Sequence, residues 1–232
     1  MWRSAMAVAV LLIAGLTWAG DGAPDHQPLR ARVLEQAPTL RASVLDLALE
    51  AYDRAVASGD VRRDRLTIID YELPSWTKRL WVIDVATSTV LHHEWVAHGM
   101  GAPAGSGGDF EHVRSVSNRP GTRKSCVGLF ITAETYVGRH GRSLRLDGLE
   151  PGFNDAARER AIVLHAADYV TAARARDRLI GRSWGCPAVR PNIAQRLIDD
   201  ISDGSVLWVY YPVQRWLTTS RFLVDDQTPP SG

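Results

Sequence analysis

From Leu66 onward the chain breaks into short β-branched or aromatic runs separated by turn-forming residues. That pattern constrains the fold more than anything else in the sequence. Residues 66–71, 80–85 and 90–98 read as strands, with 86–89 a hairpin connection. Residues 127–133, 143–146, 162–165 and 205–211 continue the series. Helical spacing is confined to a few places. Leu40, Val44, Leu47, Ala48, Ala51 and Ala55 mark a helix over 39–58 that stops at Gly59. Residues 171–179 form a short helix, and Ile193, Leu197, Ile198 and Ile201 share one face of another over 192–202. The expectation is a mainly β domain with a few helices, its sheet partly closed and preceded by an N-terminal helix.

The ends of the chain differ in texture. Arg3 followed by a short apolar run from Ala5 to Leu16, with small residues at Thr17 and Ala19, reads as a signal peptide over 1–19. No cysteine follows it, so no lipid anchor is indicated, and no other run is long enough for a membrane helix. Residues 20–60 then hold a linker and the N-terminal helix. Residues 61–215 form the main domain, and 216–232 a frayed tail ending Pro-Pro-Ser-Gly. Without 1–19 the basic and acidic side chains balance, which leaves no basic excess for nucleic acid. Residues 99–108 carry five glycines and one proline, a loop; no Gly-Lys-Ser/Thr follows, so it is not a phosphate loop.

Chemistry concentrates at Ser183-Trp184-Gly185-Cys186-Pro187. A thiol becomes a useful nucleophile when an imidazole takes its proton or convergent N–H groups stabilise its thiolate. Gly185 permits a tight backbone approach, and the amides of Gly185 and Cys186 are candidates for an oxyanion hole. Ser183 can bond the histidine or the substrate, or serve as an ordinary turn serine. Of seven histidines, His165 ends the apolar run 161–164 and precedes two alanines, which leaves room for a substrate. His98 and His140, each before a glycine, are the other candidates for the base. A zinc site at His93-Glu94-Trp95-Val96-Ala97-His98 is disfavoured, because positions five apart on a strand face opposite ways. No catalytic metal is expected from this geometry. The remaining cysteine, Cys126, leaves a Cys126–Cys186 disulfide open as an alternative.

These residues resemble the L,D-transpeptidase catalytic-domain family (YkuD-type), in particular its larger murein branch. The resemblance runs from about Leu66 to Pro212. It is carried by Tyr71-Glu72-Leu73-Pro74-Ser75, by the stretch from Leu144 through Gly148-Leu149-Glu150-Pro151-Gly152-Phe153-Asn154, and by the segment from Ser183 through Cys186 to Arg190-Pro191. It implies Cys186 as nucleophile, His165 as base, and Ser183 and Gly185 as positions that shape the site. The chain departs from the common pattern in four places. Ala166 follows the histidine where glycine is usual, Trp184 replaces a histidine, and Ala188 replaces an arginine. The interval from His165 to Cys186, 21 residues, is long. Arg190 is the candidate substitute for carboxylate binding, or else simply the residue that opens the next helix.

The resemblance further implies an exported envelope enzyme, in the periplasm or cell wall, acting on peptidoglycan tetrapeptide stems through a Cys186 thioester. Cross-linking, D-amino-acid exchange or L,D-carboxypeptidase action would follow. A papain-like protease is disfavoured because its cysteine precedes its histidine. A non-catalytic murein-binding envelope protein with a Cys126–Cys186 bridge is the alternative from another class.

Overall fold

The computed structural model describes residues 25–99, 109–180 and 183–224. The expected signal peptide, most of the glycine loop and the last residues of the tail lie outside these. Eight strands form one sheet: β1 (Arg65–Asp70), β2 (Leu80–Asp84), β3 (Thr89–Glu94), β4 (Gly128–Gly138), β5 (Gly141–Gly148), β6 (Val163–Ala166), β7 (Ala188–Val189) and β8 (Val206–Tyr210). Their order is β3-β2-β1-β8-β4-β5-β6-β7. The β1–β8 and β6–β7 pairs are parallel and the others antiparallel. Past β3, Ala97 bridges Ala188 and Gly99 bridges Ser183. The chain leaving one edge thus meets the other edge, and the sheet nearly closes on itself.

Alternation along the strands explains why both faces are buried, since successive side chains point to opposite sides. Leu66, Ile68, Trp81, Ile83, Leu129, Ile131, Val206 and Trp208 face one core. Their neighbours Ile69, Leu80, Val82, Phe130, Leu207 and Val209 face the other. The first core is covered by α1 (Gln27–Gln36), α2 (Ala42–Ala57) and α5 (Gln214–Thr219), the second by α4 (Pro191–Ile201). A short α3 (Ala172–Arg176) completes the helices, its first turn capped by the Thr171 hydroxyl.

Two segments differ from the sequence expectation. Part of the expected linker is helix α1, which buries Leu29 and Val33 and is tied to α2 by His26–Asp53 at 2.7 Å and Arg30–Asp46 at 2.6 Å. Its Pro28 lies in the first turn, where a missing N–H costs nothing. The expected tail contains α5, whose Trp216 is fully buried against Trp208, with Phe222 buried beside it. Strand β4 is also longer than expected. Its outer half pairs with β5 beyond a register shift between Thr132 and Thr135, forming a hairpin that turns through Arg139 and His140 between Gly138 and Gly141.

Candidate active site

The β4–β5 hairpin tip, strand β6 and the turn before β7 enclose a cleft of about 320 Å³. Cys186, His165 and Ser183 all line it, together with Tyr136, Arg139, His140, Tyr169 and Trp184. Parallel pairing of β6 with β7 sets this arrangement. His165 is in register with Ala188, two residues after the cysteine, and its N–H donates to Pro187 O.

His165 is 5% exposed. Its Nδ1 lies 2.7 Å from the Ala166 carbonyl, which can only accept, so Nδ1 carries the proton and Nε2 keeps its lone pair. The residue standing where glycine is common therefore contributes its carbonyl as the orienting group. The His140 ring stacks on His165, centroids 4.4 Å apart and planes 26° apart. Burial pushes the His165 pKa below the ordinary value; the Ala166 carbonyl opposes this, while the His140 and Arg139 charges add to it.

The Cys186 Sγ lies 3.5 Å from the Val163 N–H, which donates to it, and 3.5 Å from the Ala161 carbonyl, which accepts from it. Burial raises the thiol pKa above the ordinary value, with the Val163 N–H and the Arg160 charge pulling the other way. A raised thiol and a lowered imidazole lining one cleft rest as two neutral groups. We therefore expect alkylation of Cys186 by iodoacetamide, followed by mass in a Cys126→Ser background, to accelerate about tenfold per pH unit from about pH 6 to about pH 9. A plateau at neutral pH would show a resident thiolate.

The turn before Cys186 is held from below. Gly185 has φ +124°, and a Cβ there would stand 2.8 Å from both the Lys124 carbonyl and the Ile162 side chain, so only glycine fits. The Ser183 hydroxyl donates to Cys186 O at 2.5 Å and accepts from the Gly185 N–H at 3.1 Å. The Gly185 amide, a candidate for an oxyanion hole, is thus engaged by Ser183 in this structure. Ser183 braces the turn, and its own N–H donates to His98 O.

Sequence reasoning missed the residues that support this turn. Ser125 Oγ donates to Gly185 O at 3.1 Å and accepts from Gly99 N. Arg160 donates to the carbonyls of Ser117 and Lys124 and touches Cys126 Sγ. No local pattern marks either residue, because their partners lie 26 to 60 residues away.

Of the other candidates, His140 lines the cleft, whereas Arg190, His98, His93 and Cys126 do not. Arg190 forms a two-bond ion pair with buried Glu94, at 2.8 and 2.6 Å, and caps α4, so it is not the cation of this cleft. His98 is fully buried, with Arg79 donating to its Nδ1 at 2.8 Å; burial, reinforced by the Arg79 charge, lowers its pKa to about 3. His93 stacks on Trp81. Both cysteines carry free thiols, so the bridged alternative is not the state of this structure. Burial pushes the Cys126 thiol up to about 11. Among the described residues no group of three or more His, Cys, Asp or Glu is placed to hold a metal, and no helix is long and apolar enough to cross a membrane.

The family described as the L,D-transpeptidase catalytic domain matches residues 36–210. The chain belongs to this family. Among solved structures it is similar to an L,D-transpeptidase from Mycobacterium smegmatis, at 15% identity and TM-score 0.37, over 64% of this chain and 59% of that one. It is also similar to one from Mycobacterium tuberculosis H37Rv, at 12% identity and TM-score 0.35, over 64% and 58%. A third, residues 123–326 of the Xylanimonas cellulosilytica L,D-transpeptidase, aligns at 15% identity and TM-score 0.37, over 81% and 94%. The chain spans about three fifths of the length of the mycobacterial structures it matches. No curated protein matches it.

Proposed function

We propose that this protein is a cysteine L,D-transpeptidase of the bacterial envelope acting on peptidoglycan tetrapeptide stems. The observation that carries the reading is the placement of Cys186 and His165 in one cleft, with His165 Nδ1 fixed on the Ala166 carbonyl so that Nε2 is left as a base. Family membership supplies the substrate class.

In this reading His165 Nε2 takes the Cys186 proton as sulfur attacks the carbonyl joining the L-centre of the diamino acid to D-alanine. The tetrahedral intermediate collapses, and His165 gives the proton to the departing amine. A thioester remains on Cys186, and D-alanine leaves. An acceptor amine then attacks the thioester, giving a 3–3 cross-link or an attached D-amino acid; attack by water instead gives carboxypeptidase action. The route needs no cofactor.

Incubation of the reduced protein with a tetrapeptide muropeptide, followed by mass spectrometry, tests the reading. The expected result is release of D-alanine with a dimer, an exchanged stem or a tripeptide as the second product. A folded, reduced protein that leaves the stem intact would overturn it.

A further inference from the structure

The cleft holds one permanently charged side chain. Among the described residues lining it, Arg139 is the single arginine, and no lysine, aspartate or glutamate joins it. Ala188, two residues after the cysteine, brings no charge, and Arg190 is tied to Glu94. Two other arginines of the same hairpin are paired with acids: Arg142 with Asp199 at 2.6 Å and Arg145 with Glu134 at 3.1 Å. Among the described residues no carboxylate pairs with Arg139.

Arg139 is nevertheless held in place. It sits in the two-residue turn closed by the Gly138–Gly141 pair. Its Nε donates to His140 Nε2 at 3.2 Å. The His140 ring in turn stacks on His165. Arg139, His140 and His165 thus form a contiguous row along one wall, and the terminal nitrogens of the guanidinium remain as donors suited to a planar anion. The charge of Arg139 reaches both reacting groups, lowering the pKa of His165 and of Cys186.

The row begins at His165 and runs outward through His140 to Arg139. The imidazole that protonates the leaving amine marks the leaving-group side of the cleft. In a terminal amino acid the carboxylate is one carbon beyond that amine. We propose that Arg139 is a specificity-determining residue that binds the free α-carboxylate of the departing terminal amino acid, so that the cleft selects stems ending one residue past the scissile carbonyl. This rests on the transpeptidase reading above.

The test compares two donors, a tetrapeptide stem with a free terminal carboxylate and the same stem as its C-terminal amide. Wild type should favour the acid in kcat/KM. Arg139→Gln should lower kcat/KM for the acid about 30- to 100-fold, mainly through KM, so that the acid-to-amide ratio falls towards one. Arg139→Lys should keep an intermediate ratio. The amide donor serves as the internal control for an intact nucleophile, since it lacks the group that Arg139 reads. A wild type without preference for the acid, or an Arg139→Gln variant that retains the full ratio, would overturn the proposal. A wild type that turns over neither donor would instead remove the transpeptidase reading, and the proposal with it.

Discussion

Cys186→Ser should carry no covalent adduct after exposure to a carbapenem or a tetrapeptide stem, where the reduced wild-type protein gains one acyl mass. The loss in acylation rate should be at least roughly 10³-fold. The argument is one of acidity. His165 is a weakened base, its pKa held down by burial in the cleft. It can take a proton from a thiol that approaches a carbonyl, but a hydroxyl is a far weaker acid and gives it little to work with. The substitution should leave the fold alone, because among the described residues Sγ makes two long hydrogen bonds, to Val163 N and Ala161 O. The bonds that shape the turn belong to Ser183, Ser125 and the backbone. An unchanged melting temperature with the adduct gone is therefore the expected pair of results. An adduct that persists on Cys186→Ser would remove Cys186 from the nucleophile's place, and one found on Cys126 would reassign it.

The largest expected effect on stability lies on the far side of the sheet. Glu150 is 2% exposed, and its two carboxylate oxygens accept from Leu129 N at 2.7 Å and Trp216 Nε1 at 2.8 Å, with Ser220 as a further partner. Asn154 completes the joint: its Oδ1 accepts from Glu150 N, and its Nδ2 donates to Leu129 O. One side chain therefore ties the start of β4 to α5. Glu150→Ala leaves two buried donors unpaired and opens a hole beside Trp216. The cost should be about 3–5 kcal/mol, lowering Tm by about 10 °C for a chain of this size. Glu150→Gln preserves the shape and one acceptor and should cost about half as much. Thermal unfolding monitored by tryptophan fluorescence checks both, and an unshifted Tm for Glu150→Ala would show that the joint does not carry α5.

The same joint shows what could be read from the sequence and what could not. Glu150 and Asn154 stand inside the stretch that carries the family resemblance, yet nothing local says that Glu150 reaches Trp216, 66 residues on. Strands β1, β2 and β8 were legible because each is a short β-branched or aromatic run bounded by turn-forming residues. Helix α2 was legible because its apolar residues recur at helical spacing. Helix α1 was not, because Pro24 and Pro28 make its surroundings look like linker, and only two of its side chains are buried. At the site, Cys186 and His165 announce themselves by residue type and neighbours. Arg190 misled because its partner Glu94 lies 96 positions away, on β3. Arg139 escaped notice because a basic residue in a glycine turn looks like any solvated hairpin tip until the sheet places that tip over the cleft.

The resting protonation of Cys186 also bears on how the protein ages. Peroxides and disulfide-bearing molecules attack the thiolate, and the thiol form is slow to react with them. Burial keeps both Cys186 and Cys126 protonated at neutral pH. A thiol held this way rests in its inert form, so sulfenic acid and mixed disulfides accumulate on it more slowly than on a cysteine kept permanently ionised.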